Sequence, residues 1–476
     1  MLFNSFHFLF FFLIVTTAYF LLPHNKRWQL LLLSSCYFYM AFVPIYILIL
    51  GFTIVVDYFA GILIEQAAGK KRRFFLVCSL IANIGILAVF KYYNFLNDNI
   101  TFLLKEVGFS NPVPYLSILL PIGLSFHTFQ AMSYTIEVYR GNQKAERHFG
   151  LYALYVMFYP QLVAGPIERP QNLLSQFRKK HDFDSSRVFE GLKIMVWGFF
   201  KKLVVADRLA IYVNSAYDNV GDQNPMTLLL GTIFFSFQIY CDFSGYSDIA
   251  IGTAKVMGFD LMTNFKRPIF AKSTGEFWKR WHISLSTWFK DYLYFPMGGN
   301  RVGIPRWYFN LMVVFVVSGL WHGANWTYII WGAINGFYLI SAIVTKKYTD
   351  KFNMVTGLLK YPRFHLLLQV LITFSLIAFS RIFFRARSVQ DAITVIKKLF
   401  SFKDYGLTGD IKILTYSFFV IIILVMVEFK KEFYKGSFTL SEHRLFWVRN
   451  AYYSFLVILI LLFGVFDGGQ FIYFQF

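Results

Sequence analysis

The sequence has little charge: Asp, Glu, Lys and Arg together make up 15% of its 476 residues. Soluble domains carry ~25% charged residues, so this chain has too few to coat several water-facing domains. Hydrophobic residues make up 57% and aromatic residues 21%, with 59 Phe and 30 Tyr. The apolar surplus predicts a protein whose surface faces lipid and excludes a set of soluble domains.

Acidic residues are scarcer than basic ones, 26 against 46, which gives a formal net charge of +20. In a soluble protein this excess would suggest a nucleic-acid partner. The basic clusters stand between apolar runs, at Lys26-Arg27, Lys70 to Arg73, Arg178 to Lys180, Lys346-Lys347 and Lys430-Lys431. Lys and Arg collect in the cytoplasmic loops of polytopic membrane proteins. We therefore interpret the charge as a loop bias and expect no nucleic-acid partner.

Cysteine is rare, and several catalytic motifs are missing. The three cysteines, Cys36, Cys78 and Cys241, lie far apart and have neither metal-ligand nor disulfide-framework spacing. The sequence also lacks a Gly-x-Ser-x-Gly elbow, a phosphate-binding loop and a His-Glu-x-x-His motif. Serine hydrolysis, ATP-driven transport and zinc proteolysis lose support, and we expect no metal and no permanently bound cofactor.

Apolar runs long enough to cross a bilayer, ~20 residues each, recur along the chain. They lie near 6–22, 28–43, 44–64, 74–96, 115–138, 149–166, 188–206, 226–252, 307–321, 325–345, 365–384, 411–429 and 448–466. We predict an all-α polytopic membrane protein with roughly 11–13 transmembrane or re-entrant helices, forming one integral-membrane domain over 1–476. The basic loops predict that the N-terminus lies outside and that Lys70 to Arg73 face the cytoplasm.

The segment from Gly275 to Tyr294 has the pattern of one amphipathic helix. Its aromatic and apolar positions recur every three or four residues, at Trp278, Trp281, Leu285, Trp288 and Tyr292. Such a stripe suits a membrane interface, with Trp at headgroup depth and Lys in water. A surface helix without chemistry explains the stripe equally well.

Two histidines are candidates for chemistry, because ionisable groups beside apolar spans are expensive to bury. His322 is flanked by Gly319 and Gly323, which permit close approach of backbone or substrate. The same segment holds Trp321 and Trp326, which could wall a channel, and Asn325, which could fix the imidazole tautomer. A neutral imidazole suits a general base, although a core histidine bonded between helices explains the residue too. His282, beside Trp281, is the second candidate; the alternative is that it is a histidine at the membrane interface without a chemical role.

Other polar residues favour structural roles. Asp242 and Asp248 could bind a cation, but we expect them to bond backbone groups and Arg or Lys side chains at a helix end. Glu168 and Arg169, among three prolines, are expected to pair with each other.

Four blocks together resemble the membrane-bound O-acyltransferase family, in the branch typified by the alginate O-acetylation membrane protein. They are Tyr159-Pro-Gln-Leu-Val-Ala-Gly-Pro-Ile, Cys241-Asp-Phe-Ser-Gly-Tyr-Ser-Asp-Ile-Ala, Trp278-Lys-Arg-Trp-His-Ile-Ser-Leu-Ser and Leu320-Trp-His-Gly-Ala-Asn-Trp. The ending Phe471-Ile-Tyr-Phe-Gln-Phe476 resembles the same branch. By this resemblance, helices surround a central tunnel, His322 matches the family's catalytic histidine and His282 its second functional position.

The resemblance implies acetyl transfer from a cytoplasmic thioester, acetyl-CoA or an acyl carrier, to a hydroxyl, with His322 as general base. Asn325 or His282 would donate to the developing oxyanion. Trp281 and Trp321 would contact substrate, and Lys279 and Arg280 would attract CoA phosphates unless they are solvated or face lipid. The branch also implies the inner (cytoplasmic) membrane, a lipid-bilayer setting, and an extracytoplasmic acetyltransferase partner that modifies an exported, alginate-like polysaccharide.

Three other functions remain open at this point. D-alanyl transfer to teichoic acids from a carrier-protein thioester would use the same local chemistry. A transporter or flippase would use the same tunnel without consuming an acyl donor. A scaffold for an export complex would tolerate loss of both histidines.

Overall fold

The computed structural model describes residues 1–117, 121–401, 406, 410–434, 440, 443–466 and 471–472. The regular structure of these residues is helical, and no strand is assigned within them. The predicted all-α class is therefore confirmed. The end of the block from Phe471, residues Tyr473–Phe476, lies outside the described residues.

The chain divides into two compact units. The first comprises Met1–Met195 and Tyr246–Met262, and the second comprises Val196–Gly245 and Thr263–Ile472. Two helices, Ser185–Phe199 and Pro225–Met257, contribute residues to both units. The expectation that 1–476 forms a single domain stays a prediction.

The first unit is built mainly from eight helices among the described residues. They are α1 (Phe6–Leu21), α2 (His24–Met40), α3 (Ile47–Gln66), α4 (Gly69–Leu87), α5 (Tyr93–Glu106), α6 (Leu124–Arg140), α7 (Phe149–Met157) and α8 (Pro170–Phe177). Buried polar contacts join three of them: Asp57 on α3 accepts hydrogen bonds from Ser79 Oγ (2.6 Å) and Asn83 Nδ2 (3.0 Å) on α4. Ser79 Oγ also lies 3.1 Å from Thr135 Oγ1 on α6. The carboxyl group of Asp57 thus has hydrogen-bond partners at a depth without water.

The second unit carries the C-terminal helices and both candidate histidines. Its elements include α10 (Asp207–Tyr217), α12 (Thr274–Arg280), α13 (Ile283–Phe289), α14 (Ile304–His322), α15 (Trp326–Val355), α16 (Pro362–Arg385), α17 (Val389–Leu399), α18 (Ile411–Phe433) and α19 (Phe446–Phe463). The two shared helices complete the order as α9 (Ser185–Phe199) and α11 (Pro225–Met257).

Eight helical stretches of the described chain are long and apolar enough to cross a membrane. They are Pro44–Gln66, Gly69–Glu106, Pro225–Met257, Ile304–His322, Trp326–Val355, Pro362–Arg385, Ile411–Phe433 and Phe446–Phe463, and α1 is a shorter apolar helix. The multi-pass membrane architecture is therefore confirmed. Of the other predicted runs, 149–166 forms only the nine-residue α7 followed by turns.

Glycines set the close crossing of α14 and α15. A Cβ atom at Gly319 would clash with the carbonyl oxygen of Tyr328, and one at Gly332 would clash with that of Phe315. Small residues let two helix backbones approach in this way. The crossing fixes the end of α14, where His322 lies.

The segment from Gly275 to Tyr294 is not one helix, so that expectation is wrong. Helix α12 ends at Arg280 and α13 begins at Ile283, because His282 adopts left-handed backbone angles (φ 42°, ψ 55°). A continuous right-handed helix cannot pass through such a residue. Trp281 and Trp288, of the predicted interfacial stripe, are 4% and 7% exposed, so both face the protein interior.

A buried ion cluster joins α10, α11 and the π-helical turn Phe200–Ala206 within the second unit. Lys202 Nζ lies 2.6 Å from Asp242 Oδ1 and 2.7 Å from Asp207 Oδ1. The other carboxyl oxygen of Asp242 accepts from the backbone N–H of Ile472 at 2.8 Å. The predicted partners of Asp242 are thus confirmed, but the residue lies inside α11 and not at a helix end.

Candidate functional site

A cavity of about 260 Å³ lies in the second unit, and both candidate histidines line it. The other lining residues come from α12, α13, α14, α15 and the π-helical turn Lys290–Tyr294; those used below are Trp278, Trp281, Ser286, Lys290 and Ser318. Lys290 is exposed, so the cavity reaches the surface of the chain beside it. The sequence separates the two histidines by 40 positions, and the fold brings them to one chamber.

His322 occupies the last position of α14, in an aromatic surround. Its ring centroid lies 4.9 Å from Trp321, 5.1 Å from Trp331 and 5.3 Å from Phe384. The side chain is 4% exposed. Gly323 ends the helix in extended conformation directly after it, so the imidazole is held at a rigid helix end with little access for water.

His282 lies between α12 and α13 and is 1% exposed. Phe243 lies edge-on to its ring at 4.6 Å between centroids, and Phe265 stacks at 6.2 Å. Its Nδ1 is 3.2 Å from Asn264 Oδ1. A left-handed backbone in a residue with a Cβ atom is a strained state that clusters at functional sites. Within the described chain only His282 and Arg267 adopt it apart from glycines.

Burial sets the protonation state of His282, which lies outside the eight candidate membrane spans. Desolvation lowers its pKa to about 3, because removing water penalises the charged imidazolium. His282 is therefore neutral at physiological pH and can offer one N–H donor and one lone pair.

The two tryptophans named from the sequence have different positions. Trp281 lines the cavity, and the guanidinium of Arg381 lies 4.6 Å from its ring centroid. Trp321 is buried beside the cavity, with its ring 6.1 Å from that of His282 and 4.9 Å from that of His322. Trp321 thus packs against both histidines, whereas Trp281 forms part of the wall.

Three polar residues predicted to bind substrate lie elsewhere in the second unit. Arg280 Nη2 contacts Glu276 at 2.6 Å and Glu432 at 2.9 Å, so its guanidinium binds two carboxylates. Asn325 caps α15, with Oδ1 2.9 Å from Thr327 N and Nδ2 3.3 Å from the Arg387 carbonyl. Lys279 is exposed, and none of the three lines the cavity.

Sequence reasoning missed several polar residues of the site. Asn264 bonds His282 from 18 residues away, and the hydroxyl-bearing Ser286 and Ser318 line the cavity. Asn264 has no local signal, because its role depends on a contact between distant positions. Ser286 lies outside the aromatic stripe of the sequence pattern, so the pattern gives no signal for its place in the cavity wall.

The described side chains contain no group of three or more His, Cys, Asp and Glu placed to hold a metal ion. The polar side chains around this aromatic-lined chamber supply two imidazoles, the hydroxyls of Ser286, Ser318 and Tyr294, and an exposed ammonium group. Such a set can bind a small polar group, exclude water and transfer a proton.

Sequence comparisons show which proteins this chain is similar to. Residues 148–386 match the family model of membrane-bound O-acyltransferases, and this region includes both histidines. A Pseudomonas aeruginosa protein named "Probable alginate O-acetylase AlgI" is 38% identical over 86% of this chain and 76% of its own length. A Helicobacter pylori protein named "Peptidoglycan O-acetyltransferase" is 35% identical over 78% of this chain and 73% of its own.

A more distant similarity reaches a "Teichoic acid D-alanyltransferase" of Bacillus subtilis, 26% identical over 54% of this chain and 67% of that protein. All three relatives are named for the transfer of an acyl group. The matched region and the extent of the first two similarities establish that this chain is an acyltransferase of the membrane-bound O-acyltransferase family.

Proposed function

We propose that this enzyme transfers an acetyl group from a cytoplasmic thioester, acetyl-CoA, to a hydroxyl for the O-acetylation of an exported or cell-surface polysaccharide resembling alginate. The observation that carries the proposal is that His282 and His322 line the same cavity. The relatives named for alginate and peptidoglycan O-acetylation support the choice of an acetyl group and a polysaccharide.

The size of the cavity favours a short acyl group. At about 260 Å³ it is smaller than the ~300–1,000 Å³ pockets that enclose drug-sized ligands. An acetyl thioester with the end of its carrier arm suits this space better than a long fatty chain. Lys290, exposed at the opening, is the lining residue best placed to attract an anionic part of the donor; Lys279 is exposed but does not line the cavity.

In the proposed reaction His322 is the general base. It takes the proton of the acceptor hydroxyl while the oxygen attacks the thioester carbonyl carbon. The carbon–sulfur bond then breaks, and the leaving thiolate receives that proton from the imidazolium, which regenerates the base. Such proton transfer contributes ~10²–10⁴-fold in rate, and the aromatic shell around His322 would keep water from competing with the hydroxyl.

The setting of the reaction follows from the same inference. The enzyme would lie in the cytoplasmic (inner) membrane and take its donor from the cytoplasm. An extracytoplasmic acetyltransferase partner would then place the acetyl group on the polymer. A central tunnel between the two faces of the bilayer is part of this proposal.

Mass spectrometry of surface polysaccharide tests the proposal. Cells lacking the gene are complemented with the wild type, His322→Ala or His365→Ala, and the level of each protein in the membrane is measured. His365 is the matched control, because it is a half-buried histidine near the start of α16 that does not line the cavity. We expect ester-linked acetyl groups with the wild type and His365→Ala but at least ~10²-fold fewer with His322→Ala. Unchanged acetylation with a membrane-inserted His322→Ala protein would contradict the mechanism.

A second candidate is D-alanyl transfer to teichoic acids from a carrier-protein thioester, which the Bacillus subtilis similarity favours. The same spectra distinguish it, because the ester-linked group lost with His322→Ala would then be alanine and not acetate.

A further inference from the structure

Asn264 organises the start of α13 from a distant part of the chain. His282 is the N-cap residue of this helix, yet its side chain makes no capping hydrogen bond. Asn264 supplies the missing acceptor: its Oδ1 accepts from the backbone N–H of Ser284 at 3.2 Å and from Ser284 Oγ at 2.9 Å. Its main-chain carbonyl accepts from Ile283 N at 2.9 Å. One residue thus satisfies donors that the first helical turn leaves open.

The same side-chain oxygen lies 3.2 Å from Nδ1 of His282. The N–H of Ser284 can only donate, so the Asn264 atom that meets it is the amide oxygen and not the nitrogen. An amide oxygen can only accept. Nδ1 of His282 must therefore carry the proton in this contact, and in the neutral ring Nε2 then carries the lone pair.

We infer that Asn264 is a positioning residue for His282: it holds the residue in its left-handed backbone conformation and fixes the ring as the Nδ1–H tautomer. The inference rests on the proposed function for its catalytic consequence. His282 then accepts a hydrogen bond from an O–H or N–H group of the substrate through Nε2. It does not donate to an oxyanion, the role considered for it from the sequence.

The backbone contacts around His282 agree with this assignment. The N–H of Lys266 donates to the Arg280 carbonyl at 2.8 Å, so the chain around Asn264 runs beside the end of α12. On the other side of the break, the His282 carbonyl accepts from Ser286 N at 2.9 Å. The left-handed residue is thus held by bonds both before and after it, as a strained conformation requires.

Three variants of the full-length protein separate positioning from packing. Asn264→Leu keeps the size but removes the acceptor, Asn264→Asp keeps an acceptor, and Ser284→Ala removes one donor to Asn264 without touching His282. The rate of thiol release from acetyl-CoA gives kcat and KM, and thermal unfolding gives Tm.

We expect Ser284→Ala to keep kcat within about threefold, and Asn264→Asp within about tenfold. Asn264→Leu should lower kcat by at least ~10-fold, with a smaller effect on KM, since a wrong tautomer impairs the chemical step more than binding. Parallel losses of Tm and kcat in Asn264→Leu and Ser284→Ala would show packing alone and overturn the inference.

Solid-state NMR of ¹⁵N-histidine-labelled protein reads the tautomer directly, with His282→Ala assigning the signals. The wild type should show His282 protonated at Nδ1, and Asn264→Leu should move the proton toward Nε2. A wild-type proton on Nε2 overturns the inference even if Asn264→Leu does not fold. If no acyl donor is consumed but the tautomer depends on Asn264, the proposed function fails while the assignment of Asn264 holds.

Discussion

Glu432 on α18 joins this helix to the segment from Arg267 to Arg280, which leads through α12 to His282. Its Oε2 lies 2.7 Å from Arg267 Nε and its Oε1 2.9 Å from Arg280 Nη2. Arg267, the described non-glycine residue that shares a left-handed backbone with His282, precedes α12, and Arg280 ends α12 two positions before His282. We predict that Glu432→Gln destabilises the protein and slows acyl transfer, because the segment from Arg267 to Arg280 loses the charge that holds both arginines.

The exposure of the three side chains sets the expected size. Removing one partner of a fully buried ion pair costs ~3–5 kcal/mol, and a solvent-exposed pair contributes ~0–1 kcal/mol. The side chains of Glu432, Arg280 and Arg267 are 14%, 15% and 28% exposed. We therefore expect a loss of ~2 kcal/mol in the free energy of unfolding, between these two limits. For a cooperative unit of several hundred residues, this loss lowers Tm by about 2–4 °C.

Thermal unfolding in lipid nanodiscs, followed by tryptophan fluorescence, measures the effect. The matched control is Asp218→Asn, because Asp218 pairs with Arg387 at 2.8 Å while their side chains are 52% and 64% exposed. The control should change Tm by less than about 1 °C. Equal Tm values for the two variants would refute the argument that burial makes the Glu432 contacts important.

Three further predictions follow from other contacts. Gly319→Ala should force α14 and α15 apart, lower Tm and reduce activity. Gly51→Ala is the control and should change neither Tm nor activity, because a Cβ atom there meets open space. Equal effects of the two substitutions would contradict the close crossing. The free energy of unfolding should decrease as the pH falls below 6.5, because His282 becomes protonated in the unfolded protein, whereas its pKa in the folded protein is about 3. His282→Gln should make the free energy of unfolding depend less on pH in this range, which unfolding measured at several pH values checks. His127 is 1% exposed, and neither of its ring nitrogens has a hydrogen-bond partner among the described residues. His127→Leu should therefore leave activity unchanged and leave Tm unchanged or raise it. A lower Tm in this variant would contradict the prediction.

The general architecture could be predicted from composition and spacing. Long apolar runs predict the helices that cross the membrane, since lipid leaves a backbone few other choices. The two histidines could be singled out because charge and polarity are scarce around them. His322 lies at the end of a predicted span, and the glycine before it at 319 does permit a close backbone approach.

The details of the site depend on contacts that a local pattern does not contain. The spacing of Trp278, Trp281 and Leu285 predicts a continuous helix, but the left-handed backbone at His282 is imposed by Asn264 from 18 residues away. Arg280, predicted to bind phosphate, is held by Glu432 from a helix 152 positions further along the chain.

We infer that acyl transfer takes place in the cavity between His282 and His322. The measurement is the acceptor-dependent release of thiol from acetyl-CoA by purified protein in nanodiscs, for the wild type, His322→Ala and the control His365→Ala. We expect His322→Ala to lower this rate by ~10²–10⁴-fold without changing Tm, and His365→Ala to keep the wild-type rate. Thiol release by folded His322→Ala at the wild-type rate would contradict this inference.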